Sequence, residues 1–184
     1  MSNQTLTVAE TVRRVIQEEM KLIIDQPGAP YTKFIIIATA IEFLGACMDT
    51  HDFTAPKYSR DRFANALKEL FPKTYHKHAM KGSKIDLFKV FRCGMVHQFC
   101  PTDNSIWLTT KQGVEDGTEH MDESTGRLVL ILEDLYVDLS AVSEKLIQRF
   151  EKGDLPRNKS EQQFLQITDA YSGSTQTHIV KVKK

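Results

Sequence analysis

Hydrophobic residues recur at helical spacing along most of the chain, and proline and glycine cut that pattern into segments of helix length. Thr7 followed three residues later by Glu10 is a capping-box pattern, in which each side chain satisfies the other's free backbone amide. A helix is predicted to start there. Val8, Val12, Val15, Ile16, Ile23 and Ile24 form its apolar side until Pro27, Gly28 and Pro30 stop it. A second helix over about 32–50 is apolar almost all round, which predicts a central position. Ser59 is the predicted cap of a third, with Phe63, Ala66, Leu67, Leu70 and Phe71 at core spacing before Pro72. Ser83 with Asp86 repeats the start signal for a fourth, which runs through Leu87, Phe88, Val90 and Phe91 towards His97 and ends at Pro101.

The pattern then changes. Two β-prone runs, SIWLTT and RLVLIL, flank a glycine- and acid-rich stretch from Gly113 to Gly126, which predicts a small β-hairpin inserted near 104–132. A fifth helix over about 133–152 carries Leu135, Leu139, Val142, Leu146 and Phe150 on one face, with Gly153 as its stop. Beyond Pro156 the chain is polar, with a short helical tendency at Phe164–Ile167 and a β-prone HIVKVK. The predicted fold is all-α: an up-and-down helical bundle of about five helices with the hairpin, spanning 1–155, followed by a polar C-terminal tail at 156–184.

Composition narrows the class. The 184 residues, 41% hydrophobic and 26% charged, are enough for one globular core and sit outside the disordered range. Three cysteines in apolar surroundings form no spaced disulfide framework, which predicts a reducing, cytoplasmic setting. The first residues show no apolar core behind a basic leader, so no secretory signal is expected. The longest apolar run, Phe34 to Met48, is interrupted by Thr39 and Glu42 and is short of the roughly 20 residues that span a bilayer, so no membrane association is expected either.

Charge is balanced only as a sum. Lys57 to Arg92 holds ten basic and three acidic residues, a net +7, while Glu115 to Asp154 holds four basic and eleven acidic, a net −7. Lys81, Lys84 and Lys89 lie in the basic block, interleaved with Phe63, Phe71, Tyr75 and Phe88. Such a surface could track a phosphate backbone while exposed rings stack on bases. The alternative is that the rings are core and the lysines ordinary solvated faces.

The segment Phe91-Arg92-Cys93-Gly94-Met95-Val96-His97 sets an arginine and a histidine five residues apart near a helix end. At about 100° per residue they stand about 140° apart around an α-helix, off a common stripe. Glu42 is the one charge between Phe34 and Met48, and a carboxylate there must be paired or neutralised. His76, Lys77 and His78 with Cys93 and Cys100 lack metal-ligand spacing, so no metal is expected. Phosphate-loop, dinucleotide and serine-hydrolase motifs are absent, and no cofactor is expected.

An Arg-x-x-x-x-His element late in a helical bundle, preceded by an apolar helix with one acidic residue, resembles the HEPN superfamily. The resemblance covers roughly residues 8–150. It implies a homodimer whose groove forms a metal-independent ribonuclease site. Arg92 would bind the scissile phosphate, and His97 would act as general acid or base. Family members often carry an acidic residue on the preceding apolar helix near the motif, so Glu42 would pair with Arg92. Glu42 and Cys93 would support the site, and Lys81, Lys84 and Lys89 would contact RNA. Many active members place a polar residue directly after the arginine, where this chain has Cys93. That departure keeps a second expectation open: a non-catalytic relative that binds RNA or a protein partner.

Overall fold

The capping box forms and begins the first helix. In the computed structural model, which describes residues 5–165, the Thr7 amide donates to Glu10 Oε2 at 2.7 Å and the Glu10 amide to Thr7 Oγ1 at 3.2 Å. Thr7 also ends a short strand, β1 (Thr5–Thr7). Helix α1 covers 8–25 as an α-helical Val8–Val12, a π-helical Arg13–Glu19 and an α-helical Met20–Asp25. The wider π turn keeps residues four apart on one line. Val12, Ile16, Met20 and Ile24 are therefore buried, while Val15 and Ile23, predicted as part of the apolar side, are 40% and 45% exposed. Lys33 closes α1, donating from Nζ to the Ile24 carbonyl at 2.9 Å and to the Gln26 carbonyl. Its cation sits on the negative helix end and serves carbonyls that lack a helical partner, which accounts for a buried ammonium.

Pro30 opens α2 (Pro30–Met48), where its missing N–H costs nothing. This helix is long and apolar enough to cross a membrane, and here it packs inside the protein, with Phe34, Ile37, Ala38, Ile41 and Leu44 all buried. Helix α3 (Ser59–Glu69) crosses it so closely that a Cβ added to Gly45 would lie 1.8 Å from the Arg62 carbonyl oxygen. Ser59 is the first helical residue of α3; Tyr58 stands at the cap and makes no side-chain cap bond. A single turn, α4 (Lys73–His76), leads to α5 over 87–98. Asp86 caps α5, accepting from the Lys89 amide at 3.2 Å, while the Ser83 hydroxyl donates to the Met80 and Ile85 carbonyls instead.

Strands β2 (Ile106–Thr109) and β3 (Leu128–Ile131) do pair, but not as the predicted hairpin. They run parallel, with Ile106 opposite Leu128 and Thr109 opposite Ile131. The connection over 110–127 is long enough to carry the chain back to the same end, as a parallel pair requires. All four residues of β3 are buried, which suits an unbroken apolar run better than an alternating one. Ile131 leads directly into α6 (Leu132–Glu151), whose Leu135, Leu139, Val142 and Leu146 face the core.

The predicted boundary at 155 is also corrected. Leu155 is buried, and α7 (Arg157–Ser160) carries Lys159, 1% exposed. Its ammonium bonds the His51 carbonyl, lies 3.3 Å from Asp49 Oδ1 and sits 3.9 Å from the Phe53 ring centroid. Asp49 also takes Arg62 Nε at 2.6 Å. One carboxylate thus ties α3 and α7 to the end of α2. Strand β4 (Gln163–Leu165) then pairs antiparallel with β1, so Phe164 lies in a strand where a helix was expected. The folded domain extends at least to Leu165, and HIVKVK lies outside the described residues. Among those residues the chain is mainly helical, with seven helices and two two-stranded sheets.

Gly45 gives the sharpest stability test of this packing. Because the atom in the way is backbone, Gly45→Ala is expected to destabilise the protein by about 3 kcal/mol or more, read as a lowered urea midpoint.

Candidate functional site

Helices α2 and α5 build the candidate site, held edge to face by Phe34 and Phe91 with ring centroids 6.1 Å apart. The expected pair forms. Glu42 Oε2 lies 2.5 Å from Arg92 Nε, with side chains 17% and 15% exposed. The N–H is not aimed at the oxygen, so this is an ionic contact rather than an aligned hydrogen bond. The Arg92 guanidinium lies 5.6 Å from the Phe88 ring centroid, and Arg60 lies 4.5 Å from the same centroid. Arg60 is held in turn by both oxygens of Asp86, at 3.1 and 2.9 Å.

Arg92 Nη1 reaches His97 Nε2 at 3.4 Å, the long end of hydrogen-bond range. A guanidinium only donates, so Nε2 accepts, and the imidazole proton is placed on Nδ1. Nη2 of Arg92 bonds nothing among the described residues. Winding explains why two residues expected to diverge come together. Helix α5 is π-helical over Phe88–Cys93 and α-helical over Gly94–Gln98. In a π turn the bonded residues are five apart. The angle between Arg92 and His97 is therefore smaller than an ideal α-helix gives, and the arginine's length covers the rest.

The loop after α5 is fixed against it. The Thr102 amide donates to the Val90 carbonyl at 3.1 Å, and a Cβ on Gly94 would lie 2.5 Å from the Cys100 carbonyl oxygen. Only glycine lets the loop pass so close. Cys93 is half-buried beside Arg92 and makes no hydrogen bond among the described residues; Cys100 is exposed, and burial pushes the Cys47 thiol far up. Lys89 is exposed on α5, one turn before Arg92. Lys81 and Lys84 are exposed in the turn preceding α5, and no hydrogen bond or ion pair joins them to Arg92 or His97 among the described residues. None of the three lysines forms an ion pair among the described residues.

Among the described residues, the ion pairs between the acidic and basic blocks centre on Glu123. Glu123 accepts Lys77 and lies 3.2 Å from His78 Nε2. Beside it runs a chain of bonds that the sequence did not signal, because its members are far apart along the chain. The Ile131 amide donates to His120 Nδ1 at 2.9 Å, which leaves the proton on Nε2. Nε2 then donates to Tyr75 Oη at 2.7 Å, and Tyr75 donates to Asp138 at 2.6 Å. Burial holds both His120 and His78 below the ordinary imidazole value, outweighing Asp138 and Glu123 respectively. Burial, with the bond to Asp138, pushes the Tyr75 phenol up.

A groove of about 980 Å³ lies elsewhere, where Gln17 and Lys33 face Tyr136 and Ala141; Arg92 and His97 do not line it. Among the described residues no three His, Cys, Asp or Glu side chains are grouped so as to hold a metal ion.

Two outcomes follow. Gly94→Ala should displace the 99–102 loop and shift the His97 resonances in NMR spectra, with a loss of stability of about 2 kcal/mol. Folded-state values below the unfolded one mean that the unfolded chain binds more protons as pH falls. Stability should therefore drop from about pH 7 through the unfolded imidazole value near 6.5, and His120→Gln should flatten that drop in urea titrations.

Compared with protein-family models, curated proteins and solved structures, the chain matches none.

Proposed function

We propose that the chain is a HEPN-type up-and-down bundle acting as a homodimer on RNA, with Arg92 and His97 of each copy facing the strand. The observation that carries this reading is the Arg92–His97 contact, with His97 exposed and Nη2 of Arg92 without a partner among the described residues. A guanidinium offers a planar fork to phosphate oxygens, and an imidazole exchanges protons near neutral pH. In the proposed reaction the RNA 2′-oxygen attacks phosphorus as a histidine Nε2 removes its proton, and the P–O5′ bond breaks as a second histidine protonates the leaving oxygen. The products are a 2′,3′-cyclic phosphate and a free 5′-hydroxyl. Each chain supplies one such histidine, and the site sits on an open face, so a second copy would provide both the wall and the second imidazole. Arg92 would stabilise charge on the phosphate. Lys89 would extend the phosphate track, with Lys81 and Lys84 beyond it. Three unpaired thiols fit a reducing, cytoplasmic setting.

One observation favours the second reading, a non-catalytic RNA-binding or protein-interaction module. Glu42 lies against Arg92 and offsets its charge. There Glu42 and Arg92 would join α2 to α5, and Cys93 would fill space beside them.

RNA cleavage by the purified protein, in chelator, separates the two. Cleavage that falls about 10²-fold or more in both Arg92→Ala and His97→Ala is the expected result. RNA equally intact with wild type and both variants overturns the enzyme reading. If RNA is bound but not cut, and Glu42→Gln tightens that binding, the second reading holds.

A further inference from the structure

Phe99 ends α5 in a conformation that suits glycine rather than a bulky side chain, with φ 59° and ψ 15°. Its ring is 70% exposed, more than any other large hydrophobic among the described residues. A strained backbone and an exposed ring are two costs at one position, and strain of this kind persists where surrounding structure imposes it. Here the surroundings do. Gly94 admits the Cys100 carbonyl at a distance no Cβ would allow, and the Thr102 amide is bonded to the Val90 carbonyl. The ring is thus presented on a fixed backbone.

Its neighbours indicate what it meets. Only Gln98 separates it from His97, so their Cα atoms lie within about 7 Å. Between Asp86 and Asp103 the chain has no acidic residue, while Lys89, Arg92 and His97 all fall in that stretch. Two copies apposed across this face, as the proposed dimer has them, would bring like charges together unless an anion lies between them. A polyanion that carries flat rings meets both the charge and the aromatic surface.

We propose that Phe99 is a positioning residue that stacks on an unpaired nucleobase next to the phosphate held by Arg92. Bases in a duplex are already stacked and present no free face, whereas unpaired ones do. The proposal rests on the RNA reading of Arg92 and His97, and adds to it the ring and the strand requirement.

The test measures binding of the full-length protein to labelled single-stranded and duplex RNA of one sequence across a salt series. Phe99→Gly relieves the left-handed backbone, so the variant should be at least as stable as wild type by urea denaturation. It should nevertheless bind single-stranded RNA about tenfold or more weakly. Its salt slope should stay unchanged, because stacking releases no counterions, whereas Lys89→Ala should lower the slope by about 0.7. In a Trp107→Phe background, Phe99→Trp should restore affinity, and the fluorescence of the introduced indole should be quenched by single-stranded RNA. If RNA binding depends on Arg92 but Phe99→Gly binds as wild type and the introduced indole is not quenched, the stacking proposal is wrong and the RNA reading stands. If no RNA binds and Phe99→Gly converts a dimer to a monomer, the ring belongs to a protein interface and both fall.

Discussion

A single carboxylate on the most apolar helix constrains much of this molecule. Helix α2 is surrounded by other elements, and Glu42 is the one charge between its Phe34 and Met48. A half-buried carboxylate must find a cation or lose its charge. Arg92 meets it at 2.5 Å, beside the Phe34–Phe91 contact that packs α5 on α2. Once Arg92 is fixed, the π winding over Phe88–Cys93 lets its other arm reach His97. Removing one partner from such a pair costs more than the pair contributes, because the remaining charge is stranded. Glu42 is for that reason a structural requirement under either functional reading.

The neutrality of the chain is arranged rather than uniform. The acidic loop docks on the basic block through Glu123, and the neighbouring His120–Tyr75–Asp138 chain fixes the same loop from below. That docking uses Lys77 and His78. It leaves Lys81, Lys84 and Lys89 exposed without carboxylate partners among the described residues. The ion pairs between the two blocks therefore centre on Glu123 instead of cancelling across a face, and the cations nearest α5 remain free to meet an anion.

How far the sequence could be read depended on the range of the interactions. The capping box at Thr7 and Glu10, the central α2 and the core face of α6 rest on local spacing and were legible. So was the need of Glu42 for a partner, because a lone charge in an apolar run demands one; the choice of Arg92 came from the resemblance. The π segments were not. They moved Val15 and Ile23 outward and drew Arg92 towards His97, and no local residue pattern announces them. The parallel pairing of β2 and β3 was missed because pairing direction is set by the path of the connection over 110–127. The unbroken apolar run LVLI was the available signal. Lys159 was hidden in a polar segment, since a lysine buried on carbonyls and Asp49 reads in sequence like a solvated one.

The proposed RNA site is the α5 end, with Arg92 and His97. Histidine-detected NMR tests it most directly, because the chain has only six histidines and His97 is exposed while His78 is buried. Titration with single-stranded RNA is predicted to shift the His97 imidazole and the Arg92 side-chain N–H signals, leaving those of His78 and His120 in place. Unmoved His97 and Arg92 signals at RNA concentrations that perturb other residues would contradict the account.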